Sequence, residues 1–286
     1  MADPLAYWNG RFLAAAELAI PLDDLGFLWG ATVTDRARTY NGKLFRLADH
    51  VARFRRSCDL CRISQPVADA EIVAISERLV ASNLPLAGTD GELVLVMFAT
   101  PGDGRGNPTL SLHTVPFSFE TYRTLLQSGA TLVTPSVRNL PPECVPPAAK
   151  MRSRLFWWIA EQEAQTVDPH AHALLLNRDQ FVTETCIANF AVVRRGTVLT
   201  PPRSTVLDGV SLRVVEELCG ELGVPFAETP LGLEDCYTAD EALVTSTPYG
   251  VAGVAAINGR RLSFPGPVLS RLHAAWSRMV GRDIWR

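Results

Sequence analysis

The sequence is almost without lysine. Of its 27 lysine and arginine residues only Lys43 and Lys150 are lysines, so any amine chemistry has two addresses. Charge of one sign is also missing: a formal net charge of −3 gives no basic surface for nucleic acid. No apolar run approaches the roughly 20 residues of a membrane span; the run Leu93 to Ala99 is far shorter. No basic segment followed by an apolar stretch opens the chain, so no secretory signal is expected. Of six cysteines only Cys58 and Cys61 stand at C-x-x-C spacing, and neither a second pair nor a spaced histidine pair follows. A metal site is therefore not expected. The segment around the pair has the period of an amphipathic helix, not the strand-to-helix turn of a redox motif, and reads as two partly buried thiols. These absences point to a soluble, cytoplasmic protein with neither membrane nor nucleic acid as partner.

What is there is a chain of 286 residues, 47% hydrophobic and 20% charged, enough for about two domains with buried cores. Asn41-Gly42 marks a hairpin between 31–40 and 43–45. Helical spacing predicts helices over 49–63, with Asp49 as N-cap, and over 69–83. Strands are expected over 92–100 and 109–115, around a glycine-rich loop at 102–106. The pattern weakens over 116–124, which predicts a linker and two domains, 1–118 and 119–286. The second half reads as a strand at 130–134, a proline-rich loop at 141–147 and a helix at 151–165. Three short strands within 171–200 and a helix at 211–222 ended by Gly223 follow. Strands at 241–247 and 252–257 and a helix at 267–280 complete the chain. Strands and helices mix in both halves, so the fold class is α+β (mixed α/β) rather than a doubly wound sheet.

Lys150 follows Pro146-Pro-Ala-Ala and precedes the expected helix. A lysine held by prolines, with small residues beside it, can form a Schiff base with an aldehyde cofactor; alone it reads more readily as a surface lysine flanking a helix. Glu184 lies in the apolar segment Thr183-Glu-Thr-Cys-Ile-Ala-Asn189-Phe, where a carboxylate needs a partner. A protonated pyridine nitrogen would serve, and so would solvent at a turn. Asn189 could fix the loop through its backbone. Ser211 is placed to cap the helix at 211, a kind of helix start that binds phosphate. Arg53, one turn after His50, could grip a phosphate with two hydrogen bonds, and Thr245-Ser-Thr247 offers hydroxyls.

Together these segments resemble the class IV aminotransferases, the fold-type IV pyridoxal 5′-phosphate enzymes that include branched-chain aminotransferases, D-amino acid aminotransferases and aminodeoxychorismate lyase. Leu22-Asp-Asp-Leu-Gly26 through Gly30, Tyr40-Asn-Gly-Lys-Leu-Phe45, His50-Val-Ala-Arg53, Lys150, Thr183-Glu184 through Asn189, Leu207-Asp-Gly209-Val-Ser211 and Ala239-Asp-Glu241 through Thr247 occur in the family's order. The resemblance implies that Lys150 and Glu184 are catalytic: Lys150 holds the cofactor and shuttles a proton, and Glu184 pairs with the ring nitrogen. It further implies that Arg53, the backbone at Val210 and Ser211, Ser246 and Thr247 cradle the phosphate. A two-domain fold and a homodimer are implied as well.

The expected reaction is a ping-pong transfer between an amino acid, or an amine, and a 2-keto acid. Alternation along the strand at 32–38 puts Thr34, Arg36 and Arg38 on one face, where the family presents substrate-facing side chains. Arg36 and Arg38, with Arg105 from the 102–106 loop, are thus expected to meet a substrate carboxylate; Arg38 could instead pair with Asp35. The lyase usually has threonine where Arg36 stands, which favours the transaminase over that alternative. A cofactor-free binding relative is a second alternative, against which the intact set Lys150, Glu184 and Arg53 speaks.

Overall fold

The structure is a computed structural model and describes residues 3–285. Helices and strands are mixed through both halves of the described residues. The chain divides into two compact units: residues up to Ser118 with Ala149–Ser153, and Phe119–Ala148 with the chain from Arg154 on.

The first unit runs β1 (Leu5–Trp8), β2 (Arg11–Ala14), α1 (Leu25–Leu28), β3 (Val33–Tyr40), β4 (Lys43–Leu44), α2 (Leu47–Leu60), α3 (Asp69–Asn83), β5 (Leu93–Thr100) and β6 (Thr109–Pro116). Its six strands form one antiparallel sheet in the order β2-β1-β6-β5-β3-β4. At the β3–β4 turn Asn41 and Gly42 both take positive φ, 52° and 72°, as a two-residue hairpin loop requires. One face of the sheet carries Val33, Leu95, Met97 and Leu112, which pack with Val51, Phe54 and Cys58 of α2 and Ile72, Ile75 and Leu79 of α3. Each such side chain contributes roughly 1.5–3 kcal/mol on burial. Cys58 belongs to this core, and burial pushes its thiol up to about 12, far from a reactive thiolate.

Three local expectations are corrected here. Helix α2 begins at Leu47 behind Arg46, which has φ 53° and no capping side chain. Asp49 is therefore not the N-cap but lies in the first turn, where its charge suits the helix dipole and lies 3.7 Å from Arg46. The expected helix at 151–165 starts only at Leu155. Before it the chain is extended: the Thr34 N–H donates to the Lys150 carbonyl (2.9 Å), and the Arg152 N–H to the Thr32 carbonyl (3.1 Å). These bonds bracket an antiparallel pairing of Met151 with Val33, a long-range contact that outweighs local helix preference.

The second unit runs α4 (Glu120–Ser128), β7 (Ala130–Val133), α5 (Leu155–Val167), β8 (His172–Leu176), β9 (Val182–Thr185), β10 (Asn189–Arg194), β11 (Thr197–Thr200), α6 (Val210–Leu222), β12 (Phe226–Glu228), α7 (Leu233–Tyr237), β13 (Glu241–Ser246), β14 (Gly250–Ile257), β15 (Arg260–Arg261) and α8 (Pro267–Val280). Helix α4 occupies part of the stretch expected as a linker. Tyr122, Leu125 and Leu126 recur at helical spacing and pack on the core of this unit, and Gly129 ends the helix with φ 77°. The 171–200 stretch holds four strands rather than three. The main path is β12-β11-β10-β13-β14-β7-β8-β9, and β9 pairs back onto β10 at one register position, Glu184 opposite Asn189. Among the described residues no helix is long and apolar enough to cross a membrane.

Burial sets an acid response. His50 is held below its ordinary value by burial, then by Arg53 and Lys150, against the pull of Asp35. His113 is lowered by burial, then by Arg152 and Arg36. Burial also lowers His273, to about 4, against its bond to the Val251 carbonyl. Unfolded histidines titrate near 6.5, so below that pH the unfolded chain binds more protons than the folded one and stability falls. The slope reaches about 1.4 kcal/mol per pH unit for each proton taken up. Tm is thus expected to fall steadily from pH 7.5 to pH 5; a flat profile would contradict this burial.

Candidate active site

The first unit places Lys150 beside a buried polar cluster. The Lys150 backbone is pinned on both sides, its N–H donating to Ser57 Oγ (3.1 Å) and its carbonyl accepting from Thr34. Ser57 belongs to α2, as do His50 and Arg53. Alternation along β3 turns Asp35 toward α2, where its carboxylate is fully buried. It accepts from Arg53 Nε (2.7 Å) and Nη2 (2.8 Å), and it bonds His50 Nδ1 at 2.8 Å. Burial would raise the Asp35 carboxyl, but Arg53 and His50 outweigh it and hold the group well below the usual carboxylate range. Arg53, expected to hold phosphate, thus has a forked pair with Asp35, and any anion it grips is shared with that carboxylate. The alternation of β3, which sets Asp35 on the face opposite Arg36, is the sequence signal for this orienting role.

Two expected substrate ligands on β3 are corrected. Arg38 is 1% exposed; its guanidinium lies against the rings of Tyr40 (4.1 Å) and Phe117 (3.7 Å), and its Nε donates to the Thr39 carbonyl. Aromatic faces, not a substrate and not Asp35 on the opposite side of the strand, take its charge. Thr34 is buried as well, and its hydroxyl donates its proton to the Met97 carbonyl at 2.8 Å, so that proton is not offered to a ligand. Arg36 is exposed. Arg105 stands on the exposed turn after β5, where Asp103 accepts its backbone N–H.

The second unit gathers Glu184, Asn189 and the start of α6. Glu184 is 5% exposed and accepts from Asn189 Nδ2 (3.1 Å) and the Leu207 N–H (3.2 Å). Asn189 also donates to the Leu207 carbonyl at 2.8 Å, so one amide ties strand β10 to the loop before α6. Gly209 is needed there: a Cβ at this position would lie 1.9 Å from Asn189 Oδ1. Gly209, not Ser211, is the N-cap, and no side chain caps the helix. Ser211 instead sits inside the first turn. The amides of Val210 and Ser211 are among those left without intrahelical partners at a helix start. Ser246 Oγ donates to the Ile187 carbonyl, and Thr247 follows it at the end of β13. Thr245, opposite Asn189 in the sheet, has a buried hydroxyl with no hydrogen-bond partner, a feature no sequence pattern announced.

Residues 32–257 match the family Amino-transferase class IV. A Methanocaldococcus jannaschii protein bearing the name of a branched-chain-amino-acid aminotransferase is 31% identical over 262 residues, covering 89% of this chain and 88% of its own. A D-alanine aminotransferase of Bacillus licheniformis is 28% identical over 96% of both chains. The crystal structure of a branched-chain aminotransferase from Thermoproteus uzoniensis with norvaline superposes with a TM-score of 0.87 at 25% identity, covering 99% of this chain and 96% of that one. With a family match spanning most of its length and a relative this similar over nine-tenths of it, the chain belongs to the class IV aminotransferases.

Proposed function

We propose that this protein moves an amino group between an amino acid and a 2-keto acid by a ping-pong mechanism, as a homodimer in the cytoplasm. The cofactor of the family is pyridoxal 5′-phosphate, and the donors in the chain fit it. An uncapped helix start at Val210 and Ser211, with the orphaned Thr245 hydroxyl and Thr247 at the end of β13, is the donor set a phosphate dianion takes. The observation that carries the reading is Glu184, a buried carboxylate oriented by two neutral donors, Asn189 and Leu207. Such a group suits a protonated ring nitrogen. All six cysteines are free thiols, as suits a reducing compartment.

When bound, the cofactor withdraws electrons from the substrate's α-carbon. The chain does the rest. Lys150 would hold the cofactor through its Nζ, and its free amine would move the substrate's α-proton. Its pinned backbone keeps Nζ on a short tether during that transfer. Glu184 holds a fixed negative charge that needs no reorganisation as the reaction proceeds. Arg53, oriented by Asp35, adds a cation for the phosphate, with Ser246 supporting the β13 end. Arg36 meets a substrate carboxylate.

The relatives' names point to branched-chain amino acids for one and to D-alanine for another, so side chain and handedness are settled by a donor panel. L- and D-amino acids, simple amines and aminodeoxychorismate are assayed with pyruvate and 2-oxoglutarate. A new amino acid is the expected product. Pyruvate with p-aminobenzoate would mark a lyase, and a colourless protein indifferent to added cofactor would mark a binding relative. Glu184→Gln keeps the side chain's size and can accept one of the two hydrogen bonds, but loses the charge. It is expected to lower kcat roughly a hundredfold or more with little change in KM; an unchanged kcat would remove the ring-nitrogen role.

A further inference from the structure

The face of the first unit's sheet that points away from α2 and α3 carries a cluster of cations with no anion of its own. Val96 of β5 pairs with Arg36 of β3 on one side and with His113 of β6 on the other. All three therefore project from the same face on one rung, with Arg36 and His113 two strand spacings, about 10 Å, apart at the backbone. Arg152 comes to this face from the extended segment 149–153. Its guanidinium lies 5.7 Å from the ring centre of Phe98, the residue paired with Thr34 one step along the sheet on that same face. Arg36 and Arg152 are both exposed.

Nothing in the unit neutralises them. Among the described residues neither Arg36 nor Arg152 makes an ion pair with a carboxylate. Asp35, the nearest acid in sequence, is turned to the other face and is held by Arg53 and His50. His113 Nδ1 is buried and has no hydrogen-bond partner. The three groups act on one another instead: burial first, then the Arg36 charge, lowers Arg152, and His113 is lowered by burial and then by both arginines. At neutral pH the cluster thus holds two cations and a neutral imidazole. Like charges gathered without a counter-charge cost free energy, and such arrangements concentrate where a ligand supplies the missing sign. An exposed arginine elsewhere on the chain, such as Arg194, has found a carboxylate at 2.9 Å.

We infer that Arg152 and Arg36 together bind a carboxylate of the substrate. The inference rests on the aminotransferase reading and extends it. Arg152 is the new specificity-determining residue, and it reaches its place because the chain is extended, not helical, two residues past Lys150. Two guanidinium forks from separate elements suit a planar carboxylate better than one. The substrate class follows: carboxylate-bearing donors are preferred over simple amines of the same carbon skeleton.

The test uses the cofactor-loaded protein and butyrate as probe, titrated calorimetrically at constant ionic strength. Arg152→Gln is expected to weaken butyrate binding about tenfold to a hundredfold, with the visible absorbance of the loaded cofactor unchanged. Arg152→Lys keeps the charge but not the fork and recovers part of the loss. In steady state Arg152→Gln raises KM for an amino acid donor and leaves KM for the matching amine unmoved. Arg152→Gln protein that binds butyrate as tightly as wild type, or wild-type protein that turns over yet binds no butyrate, overturns the inference and leaves the aminotransferase reading standing. Wild-type protein that neither takes up the cofactor nor turns over any donor overturns the reading, and the inference with it.

Discussion

Lys150→Ala protein is expected to lose at least about a thousandfold in kcat while remaining folded. Both bonds that fix this position come from the backbone, the N–H to Ser57 and the carbonyl to Thr34, so they survive loss of the side chain. What disappears is the amine proposed to bond the cofactor and to carry the proton. Borohydride reduction followed by peptide mass analysis gives a second measurement, because the sequence offers one other lysine. Wild-type protein should carry the cofactor's mass on the peptide containing Lys150 and none on Lys43, which lies exposed beside the hairpin turn. The variant should carry none on either. Label on Lys43, or wild-type turnover by the variant, would refute the assignment.

The largest stability effect is expected at Asp35. Its carboxylate, wholly buried, accepts both arms of Arg53 and bonds His50. Asp35→Ala leaves the Arg53 guanidinium buried without that counter-charge, a change that costs about 3–5 kcal/mol. Urea unfolding at pH 7 measures it, and a loss under about 1 kcal/mol would show that the cluster relaxes freely. Asp35→Ala combined with Arg53→Met should cost less than the two single losses added together, because the second change removes the charge the first one stranded. The pH dependence has a definite sign. Since Asp35 is held below its ordinary range, its contribution is complete above about pH 4 and is lost only as acid protonates it. The acid loss from the histidines comes first, nearer pH 6.

Much of this architecture is written locally. Helix α3 over Asp69–Asn83 and α8 over Pro267–Val280 have the bounds their apolar spacing predicts, and Asn41-Gly42 makes the hairpin it announces. The parts that were not legible are decided by distant residues. Met151 is extended because Val33 pairs with it, and nothing between 146 and 155 records that partner. Arg38 has the same spacing as Arg36, yet Phe117, far along the chain, takes it into an aromatic contact. Helix α4 is masked in the sequence because Pro116, Phe117 and Ser118 break the pattern just before it. Gly209, not Ser211, stands at the cap of α6, at a position where a Cβ would meet Asn189. The candidate site splits the same way. Lys150, Glu184 and Arg53 stood out as unusual residues in unusual places, whereas Asp35, Thr245 and Arg152 acquire their surroundings only in three dimensions.

Residues 149–153 belong to the first unit, and this imposes an order on biosynthesis. When residue 118 leaves the ribosome, every helix and strand of that unit has been made, yet the Thr34 N–H and the Ser57 hydroxyl still await Lys150, some thirty residues further on. A nascent fragment stopped at 118 should therefore be a more protease-sensitive folding unit than one stopped after 153. The same delay ties completion of the N-terminal unit to synthesis of the very lysine on which catalysis is proposed to depend.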